Sequence, residues 1–380
     1  MLHTHPIPPH LTRHNAVGKQ RRPDGDPVAQ LKEITRFEPV PRPAPASLSV
    51  PFSIFDPKAS HAAEQAGKLV FHCVGDTGGI HGTATQVAIA EAMEGQIRNA
   101  AEGEKPAFFY HLGDVIYFNG QSRLYKQEFY EPYQYYPALI FAIPGNHDGD
   151  THVGRGDLPD TEPSLFGFFQ NFCAPVPQHV SPYRMSMTQP YVYWTLEAPL
   201  VTIIGLYSNV EGSLDARGRN EQQRFLEDQM KQAPGNKKLL ITVHHPPFSL
   251  DSAHGGVPDI LIALDRAISA SGRIPDAVLS GHVHNYQRFS RNVEGREIPY
   301  VVAGAGGYAD NQRSMHKLQK ALQGQKPPIP TTLADVRLEN YQEEEPGFLR
   351  VTVTDRDIKF EYFLVPFDGS APTLFDAFPP

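Results

Sequence analysis

The chain is poor in cysteine, in long apolar runs and in positive charge, and each shortage excludes a class of protein. Its 380 residues include only two cysteines, Cys73 and Cys173, so we predict no disulfide framework and favour a reducing compartment. No run of about 18 apolar residues is present, so we expect no membrane-spanning helix and no membrane partner. The formal charge of −8 argues against nucleic-acid binding, although a bound cation would still allow a phosphate substrate.

The composition changes near residue 67, where we place the boundary between an N-terminal arm and a folded domain. Residues 1–66 are rich in proline and lack hydrophobic periodicity, which predicts an irregular N-terminal arm with a short helix near 29–36. The alternative is an extended arm packed along the next domain, because Phe52, Ile54 and Phe55 could dock there. Arg21 and Arg22 are followed by Pro, Asp and Gly, so we read no secretion signal and expect a cytoplasmic location unless a signal was removed.

From Lys68 onward, short apolar runs alternate with amphipathic segments, which predicts an α/β domain over 67–380. The predicted strands are 68–75, 107–112, 138–143, 191–196, 200–206, 238–243, 277–280, 299–303, 348–354 and 358–365. The predicted helices are 86–101, 220–232 and 260–269. Residues 150–190 are expected to form long loops, and 308–345 a polar insertion or lid.

Polar residues of the kinds that bind metals follow five of these strands. In chain order they are Asp76, then Asp114 and Tyr117, then Asn146 and His147, then His244, and finally His282 and His284. Since the ends of parallel strands meet at one edge of a sheet, we expect these side chains to converge. A single Gly-Asp or His-x-His motif more often belongs to an ordinary turn or loop. Polar residues of this kind at five strand ends of one chain instead favour a metal site. Two ions sharing one carboxylate would use these donors better than one ion.

The chain resembles the calcineurin-like metallophosphoesterases in five ordered motifs. These are Asp76-Thr77-Gly78, Gly113-Asp114-Val115-Ile116-Tyr117, Gly145-Asn146-His147-Asp148, Val243-His244-His245-Pro246 and Gly281-His282-Val283-His284. Within that superfamily it is similar to the purple acid phosphatases, because Gly78 stands where most members have a metal-binding histidine and Tyr117 matches a tyrosinate ligand. The run Leu112-Gly113-Asp114-Val115-Ile116-Tyr117-Phe118 resembles the small, mammalian-type members. The resemblance implies two packed mixed β-sheets flanked by helices, a four-layer α/β sandwich.

Carried over onto this sequence, the resemblance implies a centre with two metal ions. Fe(III) would be held by Asp76, Tyr117 and His284; Fe(II), Zn(II) or Mn(II) would be held by Asn146, His244 and His282; and Asp114 would bridge them. His244 is preferred to His245, because in the family one residue and then a proline follow the ligand.

Three further residues take catalytic roles in this interpretation. His147 and His254 match positions that contact the phosphate or protonate the leaving group. Asp148 is expected to orient His147, with a turn-forming aspartate before Gly149 as the alternative.

The resemblance implies hydrolysis of a small-molecule phosphate monoester through attack of a metal-bound hydroxide. Phenolate and carboxylate ligands independently favour a trivalent ion. A phosphodiesterase, for example one acting on cyclic nucleotides, is the alternative within the superfamily. A non-catalytic scaffold should show broken ligand positions, and none is broken here. A nuclease is disfavoured by the acidic charge.

Overall fold

The protein forms two β-sheets packed face to face. The computed structural model describes residues 24–28, 47–79, 82–151, 162–309 and 315–379. In these ranges the strands are β1 Ser49–Pro51, β2 Lys68–Val74, β3 Phe108–His111, β4 Leu139–Ala142, β5 Trp194–Ala198, β6 Val201–Leu206, β7 Lys238–Val243, β8 Ala277–Ser280, β9 Tyr286–Val293, β10 Arg296–Ala303, β11 Ile329–Pro330, β12 Val336–Gln342, β13 Gly347–Thr354, β14 Ile358–Leu364 and β15 Thr373–Phe378. The first sheet has the order β1-β5-β6-β7-β8-β10-β9-β12-β11, and the second has the order β15-β14-β13-β2-β3-β4.

Helices flank the two sheets. They are α1 Phe52–Phe55, α2 Pro57–Ala66, α3 Ala84–Asn99, α4 Asn146–Gly149, α5 Phe166–Phe172, α6 Glu221–Gln232 and α7 Pro258–Ser271. A short 3-10 turn spans Ser122–Leu124, and a π-helical turn spans Lys126–Tyr130. Within the described ranges, none of the helices has the length and apolar character that a membrane crossing needs.

Three apolar clusters separate the layers. One lies between the sheets, where Phe71 and Leu349 of the second sheet meet Ile203 and Leu240 of the first. Another joins the first sheet to α6 and α7, and a third joins the second sheet to α3. The central strands are buried on both faces, which is why β7 is a nearly continuous apolar run. The four-layer sandwich with two mixed sheets is therefore confirmed.

The strand order brings the expected polar loops to one rim. β2, β3 and β4 are adjacent and parallel in the second sheet, and β7 and β8 are adjacent and parallel in the first. Backbone hydrogen bonds join the end of β2 to the end of β10 in the other sheet, among them Gly75 N–H to the Ala303 carbonyl at 2.9 Å. The rim therefore lies where the two sheets meet.

The predicted domain boundary near residue 67 is wrong, because it ignored β1, the edge strand of the first sheet. Of the residues before 67, those at 47–66 belong to the domain, because β1 pairs with β5 in parallel. The side chain of Phe52 is fully buried, and Phe55 packs on Trp194 with ring centroids 5.9 Å apart. Ile54, by contrast, is exposed. The predicted helix near 29–36 lies outside the described residues.

The segment 308–345 is only partly an insertion. Residues Val336–Gln342 form β12, which pairs with β9 in antiparallel fashion and extends the first sheet. The prediction of uninterrupted loops over 150–190 also misses α5, which buries Phe168 and Phe172 against the second sheet's outer face.

A short piece of the N-terminal arm is built into the domain. The Pro27 carbonyl accepts the Ser249 N–H at 2.8 Å, and the Gly25 N–H donates to Gln319 Oε1 at 2.8 Å. Val28 is buried in the cluster beneath α6 and α7. Residues 24–28 therefore tie the loop after β7 to the segment before β11, in agreement with the packed-arm alternative.

Candidate metal centre

The loops after β2 and β3 place two buried carboxylates around one phenol. The Tyr117 hydroxyl lies 3.3 Å from Asp76 Oδ1 and 3.1 Å from Asp114 Oδ2. His284 Nε2 lies 3.3 Å from the same hydroxyl and 3.4 Å from Asp76 Oδ1. Asp76, Tyr117 and His284 thus meet at one point, with Asp114 beside them.

A second group of donors lies on the other side of Asp114. Asn146 Oδ1 is 3.1 Å from His244 Nε2 and 2.9 Å from His282 Nδ1. His244 Nε2 is in turn 3.3 Å from Asp114 Oδ2. One ligand atom each from Asp114, His244 and His282 lies within 4.8 Å of the others. Asp114 therefore touches both groups, as a bridging ligand must.

The spacing and chemistry of these donors fit metal ions. Neighbouring donors are 2.9–3.4 Å apart, the separation expected for ligands about 2.0–2.2 Å from one ion at bond angles of roughly 90–110°. Burial, reinforced by the carboxylates of Asp114 and Asp76, raises the pKa of the Tyr117 phenol well above its usual value. A bound cation would reverse that effect.

Backbone strain concentrates at the same residues. Asp76, Asp114 and His282 have φ angles of 59°, 52° and 68°, in the left-handed region that side chains other than glycine rarely adopt. Hydrogen bonds hold them there: the Asp76 N–H donates to the Gly113 carbonyl at 2.9 Å, and the His282 N–H to Asp76 Oδ2 at 2.8 Å. Such strain is typical of functional sites, and the sequence motifs did not reveal it.

The geometry supports His244 over its neighbour. His244 Nδ1 donates to the Leu112 carbonyl at 2.8 Å, which leaves the Nε2 lone pair for the centre. His245 Nδ1 instead meets the Ser208 hydroxyl at 2.7 Å, and its ring packs on His282. Burial, with the neighbouring histidines, keeps the pKa of His282 well below its usual value. Neutral imidazole is the form that binds metals.

A family model described as Calcineurin-like phosphoesterase matches residues 69–286, which include all five strand ends described above. The chain belongs to the calcineurin-like phosphoesterase family.

Relatives of this calcineurin-like phosphoesterase include enzymes of two kinds. The probable glycerophosphodiester phosphodiesterase GpdQ of Arcobacter nitrofigilis is 28% identical over 182 residues, 47% of this chain and 57% of its own length. Purple acid phosphatase 21 of Arabidopsis thaliana is 23% identical over 245 residues, 57% of this chain and 51% of its own length. The chain thus spans roughly half the length of these two relatives.

Solved structures share the fold at low sequence identity. The purple acid phosphatase PPD1 from yellow lupin (Lupinus luteus) seeds superposes with a TM-score of 0.57 at 18% identity, covering 82% of this chain and 53% of that one. GAP50, the anchor in the inner membrane complex of Plasmodium, gives 0.52 at 12% identity, covering 81% and 89%. These likenesses support the sandwich architecture.

In this calcineurin-like phosphoesterase, the absence of a side chain at Gly78 leaves room for the Tyr117 ring. A Cβ at Gly78 would lie 2.9 Å from Ile116 Cα and 3.0 Å from Tyr117 Cδ2. The Tyr117 backbone is held at this place, since its N–H donates to Glu128 Oε2 at 2.9 Å. A larger side chain at 78 would therefore compete with Tyr117 for space.

His147 lies at the open side of the centre, and Asp148 lies beneath it. The His147 N–H donates to Asp114 Oδ1 at 2.8 Å, and its Nδ1 meets the Phe118 carbonyl at 2.6 Å. The Asp148 carboxylate accepts the N–H groups of Gly145 at 2.8 Å and Val115 at 3.2 Å.

The prediction that Asp148 orients the His147 ring is therefore wrong. Its carboxylate accepts the N–H of Gly145, the residue that precedes the single turn α4, as the third residue of a capping box does, and also the N–H of Val115 in the loop after β3. Burial, and then the charge of Asp114, raise the pKa of Asp148 to about 7. Asp148 thus shapes the loop that carries Asn146 and His147.

His254 lies next to the second group of donors. Its ring centroid is 4.8 Å from that of His282, and its backbone N–H donates to Asp251 Oδ1 at 2.5 Å. His254 therefore lies beside the donors of Asn146, His244 and His282.

Two aromatic residues at the centre were not predicted. Tyr308 packs on Tyr117 and His284 with centroid distances of 4.1 and 4.4 Å. His316 stacks on His284 at 4.3 Å and 24°. Tyr308 directly follows the glycine-rich run Gly304-Ala305-Gly306-Gly307, which is visible in the sequence. A Cβ at Gly304 would lie 2.8 Å from Asp76 Oδ2, so this run passes close to the centre. His316 belongs to no motif.

Proposed function

We propose that the chain is a dinuclear-metal phosphohydrolase of the purple acid phosphatase type that cleaves phosphate monoesters. The observation that carries the proposal is a phenol between two buried carboxylates, adjoining a group of imidazole and amide donors that shares one of those carboxylates. The first ion, Fe(III), would be held by Asp76, Tyr117 and His284, and the second, Fe(II), Zn(II) or Mn(II), by Asn146, His244 and His282, with Asp114 shared. When bound, such ions supply a nucleophile from water and neutralise phosphate charge.

The remaining histidines position the substrate and move protons. Because His147 Nδ1 donates to the Phe118 carbonyl, the Nε2 of a protonated ring is the atom that can donate to a phosphate oxygen. His254, beside His282, is placed to give a proton to the leaving oxygen. Both rings are partly exposed, so a substrate can reach them.

A phosphodiesterase activity is the second candidate. The relative named as a probable glycerophosphodiester phosphodiesterase is 28% identical, against 23% for Purple acid phosphatase 21. The fold by itself does not distinguish an enzyme from an anchoring protein, since GAP50, which is named as an anchor, has the same fold. The complete donor set supports an enzyme.

The test is hydrolysis of p-nitrophenyl phosphate beside bis(p-nitrophenyl) phosphate by metal-loaded protein, with Asn146→Ala as the inactive variant. We expect faster turnover of the monoester, and loss of both activities in the variant, because Asn146 Oδ1 faces both His244 and His282. Faster turnover of the diester would contradict the monoesterase proposal and support the phosphodiesterase. Turnover of neither ester would refute the enzymatic proposal.

A further inference from the structure

A buried histidine joins two of the loops that carry the proposed metal ligands. His111 is the last residue of β3, and its side chain is fully buried. Its Nδ1 accepts the Gly113 N–H at 3.1 Å, and its Nε2 lies 2.8 Å from Thr77 Oγ1. Gly113 directly precedes Asp114, and Thr77 directly follows Asp76. The His111 ring therefore connects the loop after β2 to the loop after β3.

The hydrogen bonds at His111 determine where its ring proton lies. Burial lowers the pKa of His111 to about 3, so the ring is neutral near pH 7 and carries one proton. Because the Gly113 N–H donates to Nδ1, that proton lies on Nε2 and is donated to Thr77 Oγ1. The Thr77 hydroxyl in turn donates to the Val115 carbonyl at 3.4 Å. Three linked hydrogen bonds thus run from the residue before Asp114 to the residue after it, by way of the other loop.

The backbone that His111 braces is strained at both carboxylates. Asp76 and Asp114 have φ angles of 59° and 52°, and Gly113 between the ring and Asp114 has 95°. A left-handed residue other than glycine persists only where the surrounding contacts hold it. Two backbone bonds hold the loops as well, since the Asp76 N–H donates to the Gly113 carbonyl at 2.9 Å and the Thr77 N–H to the Asp114 carbonyl at 3.2 Å. Loss of the ring should therefore leave the loops folded but free to shift against each other.

We propose that His111 is a positioning residue for the first metal ion, and that it fixes the separation of Asp76 from Asp114 through its bonds to Thr77 and Gly113. Both of its ring nitrogens are occupied by these bonds, so His111 is not itself a ligand. It acts only through the two loops that it joins. This inference rests on the proposed function, because it takes Asp76 and Asp114 as ligands of the first ion.

The test compares two buried histidines whose bonding partners differ. His72, on the adjacent strand β2, is also fully buried, and its ring nitrogens lie 3.0 Å from the Tyr136 hydroxyl and 3.1 Å from Gln96 Oε1. His111→Phe and His72→Phe therefore make the same change and each remove two hydrogen bonds, but only His111→Phe removes them from ligand loops. Two further variants are His111→Gln, whose amide can still donate to Thr77, and Thr77→Val, which removes only the hydroxyl.

Each protein is loaded with iron and zinc and titrated with a chelator, while its iron content and visible spectrum are followed. We expect His111→Phe to lose half of its iron at about a tenfold lower chelator concentration than wild type, because residues that orient metal ligands have effects of that order. The maximum of its iron–phenolate band should also shift, because Asp76 and Tyr117 share the ion. His111→Gln should recover part of both properties, and His72→Phe should match wild type in both.

Urea unfolding of the metal-free proteins separates positioning from folding. His111→Phe and His72→Phe should be destabilised to a similar extent, since each loses two buried hydrogen bonds. Thr77→Val loses a single hydroxyl and should release iron at a chelator concentration between those of His111→Phe and wild type, so it decides the matter if His111→Phe does not fold. Equal iron retention and equal band positions in wild type and in the His111 and Thr77 variants would overturn the inference.

The two proposals fail separately. If wild type binds two ions and hydrolyses the monoester, but the His111 and Thr77 variants keep iron as wild type does, only the inference about His111 is wrong. If wild type hydrolyses neither ester, but iron leaves His111→Phe more easily than His72→Phe, the proposed catalytic function is wrong and the positioning role stands. If wild type binds no metal, both proposals are refuted.

Discussion

A methyl group added at Gly145 would collide with the shared carboxylate of the centre. Its Cβ would lie 2.1 Å from Asp114 Oδ1 and 2.3 Å from the Asp114 amide nitrogen. Gly145 has φ −94° and ψ −169°, an extended conformation open to any residue, so only this contact opposes the substitution. The carboxylate would have to retreat by about 0.9 Å to reach a 3.0 Å contact, whereas metal–ligand distances tolerate about 0.2 Å.

The expected cost follows from the immobility of the neighbours. Overpacking a filled position costs about 1–3 kcal/mol, and we expect Gly145→Ala near the upper end because one neighbouring atom belongs to the backbone. Metal-free protein should unfold at lower urea concentration, and loaded protein should retain less than its full complement of metal.

Gly95→Ala is the matched control for this experiment. It adds the same methyl group within α3, where nothing lies within 4 Å of the new Cβ. Helix propensity predicts a gain of up to about 1 kcal/mol there. A Gly145→Ala protein with wild-type unfolding and full metal content would refute the account of how Asp114 is held.

Three other substitutions test separate parts of the structure. Tyr117→Phe should keep the fold but abolish the visible absorption that an iron(III)–phenolate bond gives after iron loading, as a visible spectrum would show. Asp148→Ala should lower the thermal unfolding midpoint, with a cost of about 1–3 kcal/mol, because it removes the acceptor of two backbone N–H groups. Burial lowers the pKa of His72 to about 3, against 6.5 for an ordinary histidine. The unfolded chain therefore binds a proton at this ring before the folded protein does, and the free energy of unfolding falls as the pH drops from 6.5 toward 3. Between pH 7 and 5 this loss is about 2 kcal/mol, and urea unfolding of metal-free His72→Gln should lack it.

The donor set could be predicted because each member follows a strand that is buried on both faces. Such strands are continuous apolar runs, and the polar residue that ends each one is visible in the sequence, as at Val243-His244. Parallel pairing of β2, β3 and β4 then brings Asp76, Asp114 and Asn146 to one rim without further information.

Strands of mixed polar and apolar composition, and long-range contacts, could not be predicted in the same way. β12 carries Arg337 and Glu339 beside apolar residues, so it was taken for part of a polar insertion, although it pairs with β9. His316 reaches the centre only because its backbone is bonded to that of His284. The role of Asp148 was predicted wrongly for a similar reason. Its carboxylate accepts backbone N–H groups, and the sequence does not show which backbone groups lie near it.

Metal stoichiometry tests the central claim most directly. Chelator-treated protein is loaded with iron and zinc, freed of excess ions and analysed for both elements, beside Asn146→Ala and the Gly95→Ala control. We predict two ions per chain in wild type and in Gly95→Ala, and loss of the second ion in Asn146→Ala, whose amide oxygen lies within 3.1 Å of donor atoms of both His244 and His282. A wild-type protein that retains no metal, or that retains one ion unaffected by Asn146→Ala, would contradict the two-metal centre.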